Sequence, residues 1–189
     1  NHPKLKELKC YNNKLGTLNV AKCTALVRLD CYNNQIAKLN LTNCTKLVHL
    51  DVTGNQLTTL NVSKNTRLQK LLMEDNQVSK LNVSGLTELI HLWCGGNQLT
   101  DIDVSKNSKL FSFRCHWNPI ETYDIATLPA KLKALARQND LLIVDQDDGS
   151  VHWDESDDWE NGARVYLPIT ARIVDGDETV YEPEPTEAA

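Results

Sequence analysis

The chain has 189 residues, a formal net charge of −5 and 41% hydrophobic residues, an ordinary soluble composition. No apolar run approaches the ~20 residues that span a bilayer, so no membrane insertion is expected. The charge is unevenly placed: residues 1–140 carry 18 Lys/Arg against 11 Asp/Glu, and residues 141–189 carry 2 against 14. That split sets a boundary near Asp140 and implies either two surfaces with different partners or a tail lying against a basic array.

From Leu5 onward one phrase recurs. Leu47, Leu50, Val52, Asn55, Leu57, Leu60 and Val62 read L-x-x-L-x-V-x-x-N-x-L-x-x-L-x-V, closed by Ser63-Lys64-Asn65-Thr66-Arg67. The phrase starts at Leu5, Leu26, Leu47, Leu68, Leu89 and Leu110, each 21 residues after the last. A period in this range with this spacing marks the leucine-rich repeat. His2-Pro3-Lys4 takes the places of Asn65-Thr66-Arg67, so the chain opens partway through a repeat. It reads as a fragment whose leader and earlier repeats have been removed.

Around the fourth to sixth places each copy alternates apolar and polar residues, the pattern of a half-buried strand. Stacked coil on coil, such strands predict a parallel sheet with one face on the core. Leu5, Leu8, Cys10, Leu15, Leu18 and Val20 of the first copy are expected to point inward. The ninth place is always Asn: Asn13, Asn34, Asn55, Asn76, Asn97 and Asn118. An amide carries both donor and acceptor and can serve the backbone of two coils, so these six predict a structural ladder. Cys10, Cys31, Cys94 and Cys115 share the sixth, core place and are expected as buried thiols. Cys23 and Cys44 share the nineteenth place on stacked coils, where either free thiols or a disulfide fits. Sequons such as Asn61-Val62-Ser63 follow from the repeat consensus and carry no functional weight.

The sixth copy departs from the pattern at Pro119 and Tyr123. Leu132-Lys133-Ala134-Leu135 then restores L-x-x-L spacing, with Arg137 on the core place. A degenerate seventh coil from Leu132 is the favoured reading, against a short amphipathic helix over Pro129 to Gln138. Beyond it lie the acidic stretch Asp145 to Glu160, a β-rich run Arg164 to Val174, and a tight turn at Asp175-Gly176-Asp177. These predict a hairpin covering the apolar end of the solenoid. The expected organisation is a repeat array over 1–140, an acidic β-rich cap over 141–182, and a loose tail or linker over 183–189. The fold class is a mostly-β right-handed solenoid with a parallel concave sheet of six to seven short strands and an irregular convex side.

The run L-x-x-L-x-C-x-x-N-Q-L-T-x-L-N-V-S-K-N-T, read from Leu26 to Leu110, resembles the short repeats of bacterial surface and secreted leucine-rich repeat proteins, internalin-like proteins among them. Leu128-Pro129-Ala130 ahead of Leu132 is also similar to the L-P-x-x-L repeats of secreted bacterial effectors. The resemblance covers about residues 5–140. It implies a curved, non-enzymatic scaffold, exported to the cell surface or secreted, that binds host proteins or serves adhesion. It does not extend to the acidic C-terminal part.

With the core places committed, function is expected at the places that face solvent: the second, third, fifth, seventh and eighth. The fifth reads Lys9, Asp30, Asp51, Leu72, Trp93, Arg114, and the third Glu7, Arg28, His49, Lys70, His91, Ser112. The first coils present charges and tyrosines. The later ones gather Leu72, His91, Trp93, Arg114, His116 and Trp117, with Phe111 at the margin, beside the open space expected at Gly95-Gly96. Exposed Trp with Leu and Arg neighbours is the material of a binding hot spot, so Trp93 and Trp117 are both expected to be partly exposed. The competing reading has them packed on each other or on the cap.

Metal and catalytic readings are weaker. His49 and His91 lie two coils apart, roughly 10 Å by strand spacing, too far for one zinc. Asp145-Gln146-Asp147-Asp148-Gly149 departs from a calcium loop, which needs Glu at its twelfth place. Leu167-Pro168-Ile169-Thr170-Ala171 matches a sortase motif but lacks the hydrophobic span that follows one. No nucleophile–His–acid set has fixed spacing. The sequence therefore predicts a monomeric, non-catalytic binding module without cofactor or metal, with a protein or glycan partner and no nucleic acid. A structural spacer displaying another domain is the alternative, and an accessory domain of a glycan-directed enzyme the third reading.

Overall fold

The computed structural model describes residues 2–130, 132–133, 164–166 and 172–181. Each of the six copies contributes one three-residue strand: β1 (Glu7–Lys9), β2 (Arg28–Asp30), β3 (His49–Asp51), β4 (Lys70–Leu72), β5 (His91–Trp93) and β6 (Ser112–Arg114). They pair in parallel in chain order, and every residue faces its equivalent 21 positions later, as Leu29 faces Leu50 and Leu50 faces Leu71. Register cannot slip, because a one-residue shift would turn the leucines out of the core. The result is a mostly-β solenoid whose convex side is built of turns rather than helices.

The inward residues are the expected ones. Leu29, Leu50, Leu71, Leu92 and Phe113 at the fourth place are all fully buried, as are Cys31, Met73, Cys94 and Cys115 at the sixth. In the first coil Leu5, Leu8, Cys10, Leu15 and Leu18 are only partly buried, since among the described residues each packs on a neighbouring coil from one side alone. All six cysteines are free thiols, Cys23 and Cys44 included. Burial pushes the Cys31 and Cys94 thiols far above the usual thiol range, so they pack as small apolar groups.

The ninth-place amides form the expected ladder. Asn55 Nδ2 donates to the carbonyls of Cys31, Val52 and Thr53, and its Oδ1 accepts from the Ile36 N–H at 3.0 Å. Asn34, Asn76, Asn97 and Asn118 repeat these bonds one coil on each time. Asn13, at the first coil, is exposed and donates only within its own coil. A second amide set is less regular: Asn65 and Asn107 at the nineteenth place each donate to two carbonyls of the preceding coil. On the convex side Asn19, Asn40, Asn61, Asn82 and Asp103 accept from the backbone N–H two residues on. This turn chemistry accounts for the Asn of the N-V-S consensus.

The degenerate seventh coil expected from Leu132 is not where the seventh strand arises. Ala130, Leu132 and Lys133 are helical, and Lys133 N–H bonds the Pro129 carbonyl at 2.9 Å. Pro129 has no N–H for a ladder, and alanine, leucine and lysine favour helix. The seventh strand is instead β8 (Arg164–Tyr166), parallel to β6, with Ser112 facing Arg164 and Arg114 facing Tyr166. The run from Arg164 thus serves two sheets. β7 (Thr122–Asp124) lies on the convex side of the last coil and pairs with β9 (Arg172–Asp175), which forms a hairpin with β10 (Glu178–Tyr181). Gly176 turns that hairpin at φ 62°, as the Asp-Gly signal predicts. Tyr123 fills the leucine place, 3% exposed and packed on Phe113. Lys133 pairs with Asp175, and Asp124 accepts from the Gly176 N–H, tying the hairpin to the last coil. The acidic stretch Asp145 to Glu160, the calcium-like and sortase-like motifs and the tail from Glu182 lie outside the described residues.

Candidate functional site

Strand register sets the third and fifth places in two straight rows along the concave face. Lys9, Asp30, Asp51, Leu72, Trp93 and Arg114 face one another in turn, as do Glu7, Arg28, His49, Lys70, His91 and Ser112. The sequence therefore placed Leu72, Trp93 and Arg114 correctly in one row. It did not place their surface. Leu72 and Trp93 are each 6% exposed and His91 is 7% exposed, so the partial exposure expected of Trp93 is not met.

The reason lies in the contacts between coils. The Arg114 guanidinium carbon sits 3.7 Å from the Trp93 ring centroid, a cation–π geometry. The Trp93 Nε1–H donates to Ser112 Oγ at 3.0 Å. A Trp one coil behind an Arg is thus covered by it, and becomes a support for the guanidinium. His91 stands edge-on to Phe111, with ring centroids 6.4 Å apart. Burial, reinforced by Lys70 and Arg114, lowers the His91 pKa to about 4, so its ring is neutral near neutral pH. The space expected at Gly95 is taken up by the His116 imidazole. A Cβ on Gly95 would stand 2.6 Å from His116 Cε1.

Trp117 differs from Trp93. It is 40% exposed, and its ring stands edge-on to His116 at 4.6 Å. Its backbone is left-handed at φ 50°, like every eighth-place residue: Asn12, Asn33, Gly54, Asp75 and Gly96. The fold asks for that conformation at each coil, and the other five are residue types that adopt it readily. A tryptophan there is strained.

The N-terminal half of the face is a groove of about 440 Å³ lined by charged and tyrosine side chains. Tyr11 and Tyr32 stack face to face at 4.5 Å. Asp30, only 3% exposed, receives the Arg28 Nε–H at 2.8 Å and lies 3.1 Å from His49 Nε2. Burial first, then Arg28 and Lys70 against the pull of Asp30, lowers His49 to about 4. Burial raises Asp51 to about 6, although the Thr53 N–H bonds it. These residues were visible in the row reading, but nothing in the sequence reveals that Asp30 is buried or that Arg28 is tethered to it.

Glu74, at the seventh place between Thr53 and Gly95, was not singled out. It is 5% exposed, its Oε1 has no hydrogen-bond partner, and burial raises its pKa to about 7. Among the described residues no three His, Cys, Asp or Glu side chains converge as a metal-binding group. Among them, too, no helix is long and apolar enough to cross a membrane.

A family model for leucine-rich repeats in two copies matches residues 24–65. No curated protein matches the chain. Among solved structures, a leucine-rich repeat protein of Leptospira interrogans is similar at 29% identity and a TM-score of 0.57, over 62% of this chain and 32% of that one. An internalin of Listeria monocytogenes is similar at 25% identity and a TM-score of 0.52, over 66% of this chain and 44% of that one. The chain thus spans less than half the length of these structures. The functional domain of InlJ from Listeria monocytogenes, which includes a cysteine ladder, matches at 28% identity and a TM-score of 0.43, over 66% of this chain and 37% of that one. The repeat, the register and the coil give this chain a leucine-rich repeat fold. Its solenoid is similar to those of bacterial leucine-rich repeat proteins, an internalin among them.

Proposed function

We propose that this chain is a non-catalytic binding module of a bacterial surface or secreted protein, and that it holds a protein partner on the C-terminal half of its concave face. Trp117 carries the reading. It keeps a large apolar ring 40% exposed in a left-handed backbone where the five equivalent residues are Asn, Gly or Asp. Such strain costs about 1–2 kcal/mol, and strained, exposed residues cluster where a surface acts on something else. His116 stands edge-on to it, Phe111 stands edge-on to His91 at the other end of the strand, and Arg114 is presented on the buried Trp93. Leu72, Trp93 and His91 form the packed floor that holds these groups in place. The surface or secreted location rests on the likeness to internalin-like proteins.

The burial of Trp93 favours the spacer reading for that residue, and the test separates the two. Trp117→Asn keeps the backbone conformation and removes the ring. Binding of the full chain to immobilised host surface proteins, read by biolayer interferometry, is expected to weaken at least ~30-fold, the ~2 kcal/mol scale of a hot-spot residue. Binding unchanged by Trp117→Asn overturns the site and leaves the spacer.

A further inference from the structure

The groove in the N-terminal half of the concave face lies outside the aromatic cluster, and it mixes both signs of charge at the spacing of one rung. Across the first pair of strands Glu7 faces Arg28 and Lys9 faces Asp30, so each cation stands one strand step, roughly 4.8 Å, from an acid. Asp51 follows Asp30 in the fifth-place row. Burial raises its pKa only to about 6, so it is ionised near neutral pH. A polymer of like charges laid along this groove meets repulsion as often as attraction. A hydroxyl group does not, because it donates to a carboxylate and accepts from a guanidinium or an ammonium.

The groups that can meet such a ligand are held in place. Arg28 gives its Nε–H to Asp30 at 2.8 Å while its side chain stays 42% exposed. Its Nη donors are thereby fixed in one plane. Asp30 is itself only 3% exposed, so it serves to hold Arg28. The His49 ring, neutral near neutral pH, adds a donor and an acceptor rather than a charge. Tyr11 forms the wall. It is 40% exposed and lies on Tyr32 at 4.5 Å, 5° from parallel, so its ring is a rigid apolar plate. Beside it the exposed Asn12 receives the Asn33 Nδ2–H on its Oδ1 at 2.9 Å, which orients the Asn12 amide and leaves its Nδ2 hydrogens for another acceptor. A pyranose ring has the matching character: C–H bonds on its face and hydroxyls at its edge. From Tyr11 on the first coil to Asp51 on the third is two strand steps, roughly 10 Å, which suits an extended chain of rings better than a single one.

We propose that this groove is a second binding site, for an extended, β-linked neutral oligosaccharide, with one ring packed on Tyr11 beside Asn12 and the hydroxyls of the next rings bonded by Arg28 and Asp51. Asp30 is a positioning residue that acts through Arg28. The site stands apart from the Trp117 surface and does not require it.

The test is titration calorimetry on the full chain with cellohexaose and mannohexaose, set against maltohexaose, hexaglutamate and hexalysine. At least one of the two β-linked sugars is expected to bind, more tightly than the coiled, α-linked maltohexaose. Its affinity is expected to hold as salt rises, since an uncharged ligand gives salt nothing to screen. Tyr11→Ala, a change at an exposed side chain, is expected to weaken binding at least ~10-fold, the scale of an aromatic contact residue. Tyr11→Phe keeps the ring and is expected to keep the binding. Arg28→Gln is expected to weaken it several-fold, and so is Asn12→Gly, which preserves the left-handed backbone. Trp117→Asn is expected to leave it unchanged, so failure here and failure of the aromatic site are distinguishable. No binding of either β-linked sugar, or full binding by Tyr11→Ala, would overturn the site. Tighter binding of hexaglutamate or hexalysine would overturn the neutral ligand, and equal binding of maltohexaose the extended chain.

Discussion

Asn55→Ala is expected to unpick one rung of the solenoid, and the structure says how much that costs. Asn55 Nδ2 donates to Cys31 O at 3.0 Å and Val52 O at 2.9 Å, but neither carbonyl depends on it. Cys31 O also receives Asn34, and Val52 O also receives Asn76. The Ile36 N–H is different: its bond is to Asn55 Oδ1, at a residue 1% exposed. Truncation to alanine strands that donor in the core, at a cost of ~1–3 kcal/mol. Equilibrium urea unfolding measures the loss, and hydrogen exchange localises it, because Ile36 should lose protection more than the amides of distant coils. Asn55→Asp sharpens the argument. A carboxylate still accepts from Ile36 but faces three carbonyl oxygens with no donor, so it should fold best protonated and lose stability as pH rises. If Asn55→Ala costs no more than the exposed Gln56→Ala, the ladder is not what holds the coils together.

Trp117→Asn should raise the unfolding free energy by about 1 kcal/mol, since it relieves a left-handed tryptophan; a fall in urea midpoint would show that the ring stabilises the fold. Gly95→Ala places a Cβ 2.6 Å from His116 Cε1 and should destabilise by ~1–2 kcal/mol through overpacking. His116→Ala in the same chain should recover most of that, a coupling that a double-mutant cycle reads directly. Glu74 holds its proton to about pH 7 in the folded chain, against ~4.3 when unfolded. The folded state therefore binds more protons between those values, and stability falls as pH rises through that window. Glu74→Gln should change little at pH 4 and stabilise at pH 8, by up to ~4 kcal/mol on the scale of 1.36 per pKa unit. Equal effects at both pH values would refute the burial of a charge.

The sequence by itself determined the repeat and its consequences. A strict interval of 21 residues sets which side chains stack, because each coil can bury its leucines only against the next. The strand positions, the inward leucines, the ninth-place amides and the two rows of the concave face follow from that one constraint. The sequence also marked the turn at Gly176, since Asp-Gly is a local signal. It could not say which strand closes the sheet. Leu132-Lys133-Ala134-Leu135 has the spacing of a strand, but Ala130, Leu132 and Lys133 are helical, and the edge of β6 is taken by Arg164–Tyr166. Nor could it separate Trp93 from Trp117. Both are tryptophans at concave-face places of adjacent copies. One is covered because Arg114 falls on the next rung, while the other is exposed on a left-handed turn. Likewise Asp30 reads as a surface charge until the tertiary structure sets His49 and Arg28 against its two oxygens. Periodicity fixes which residues are neighbours; burial depends on the size and reach of the side chains those neighbours carry.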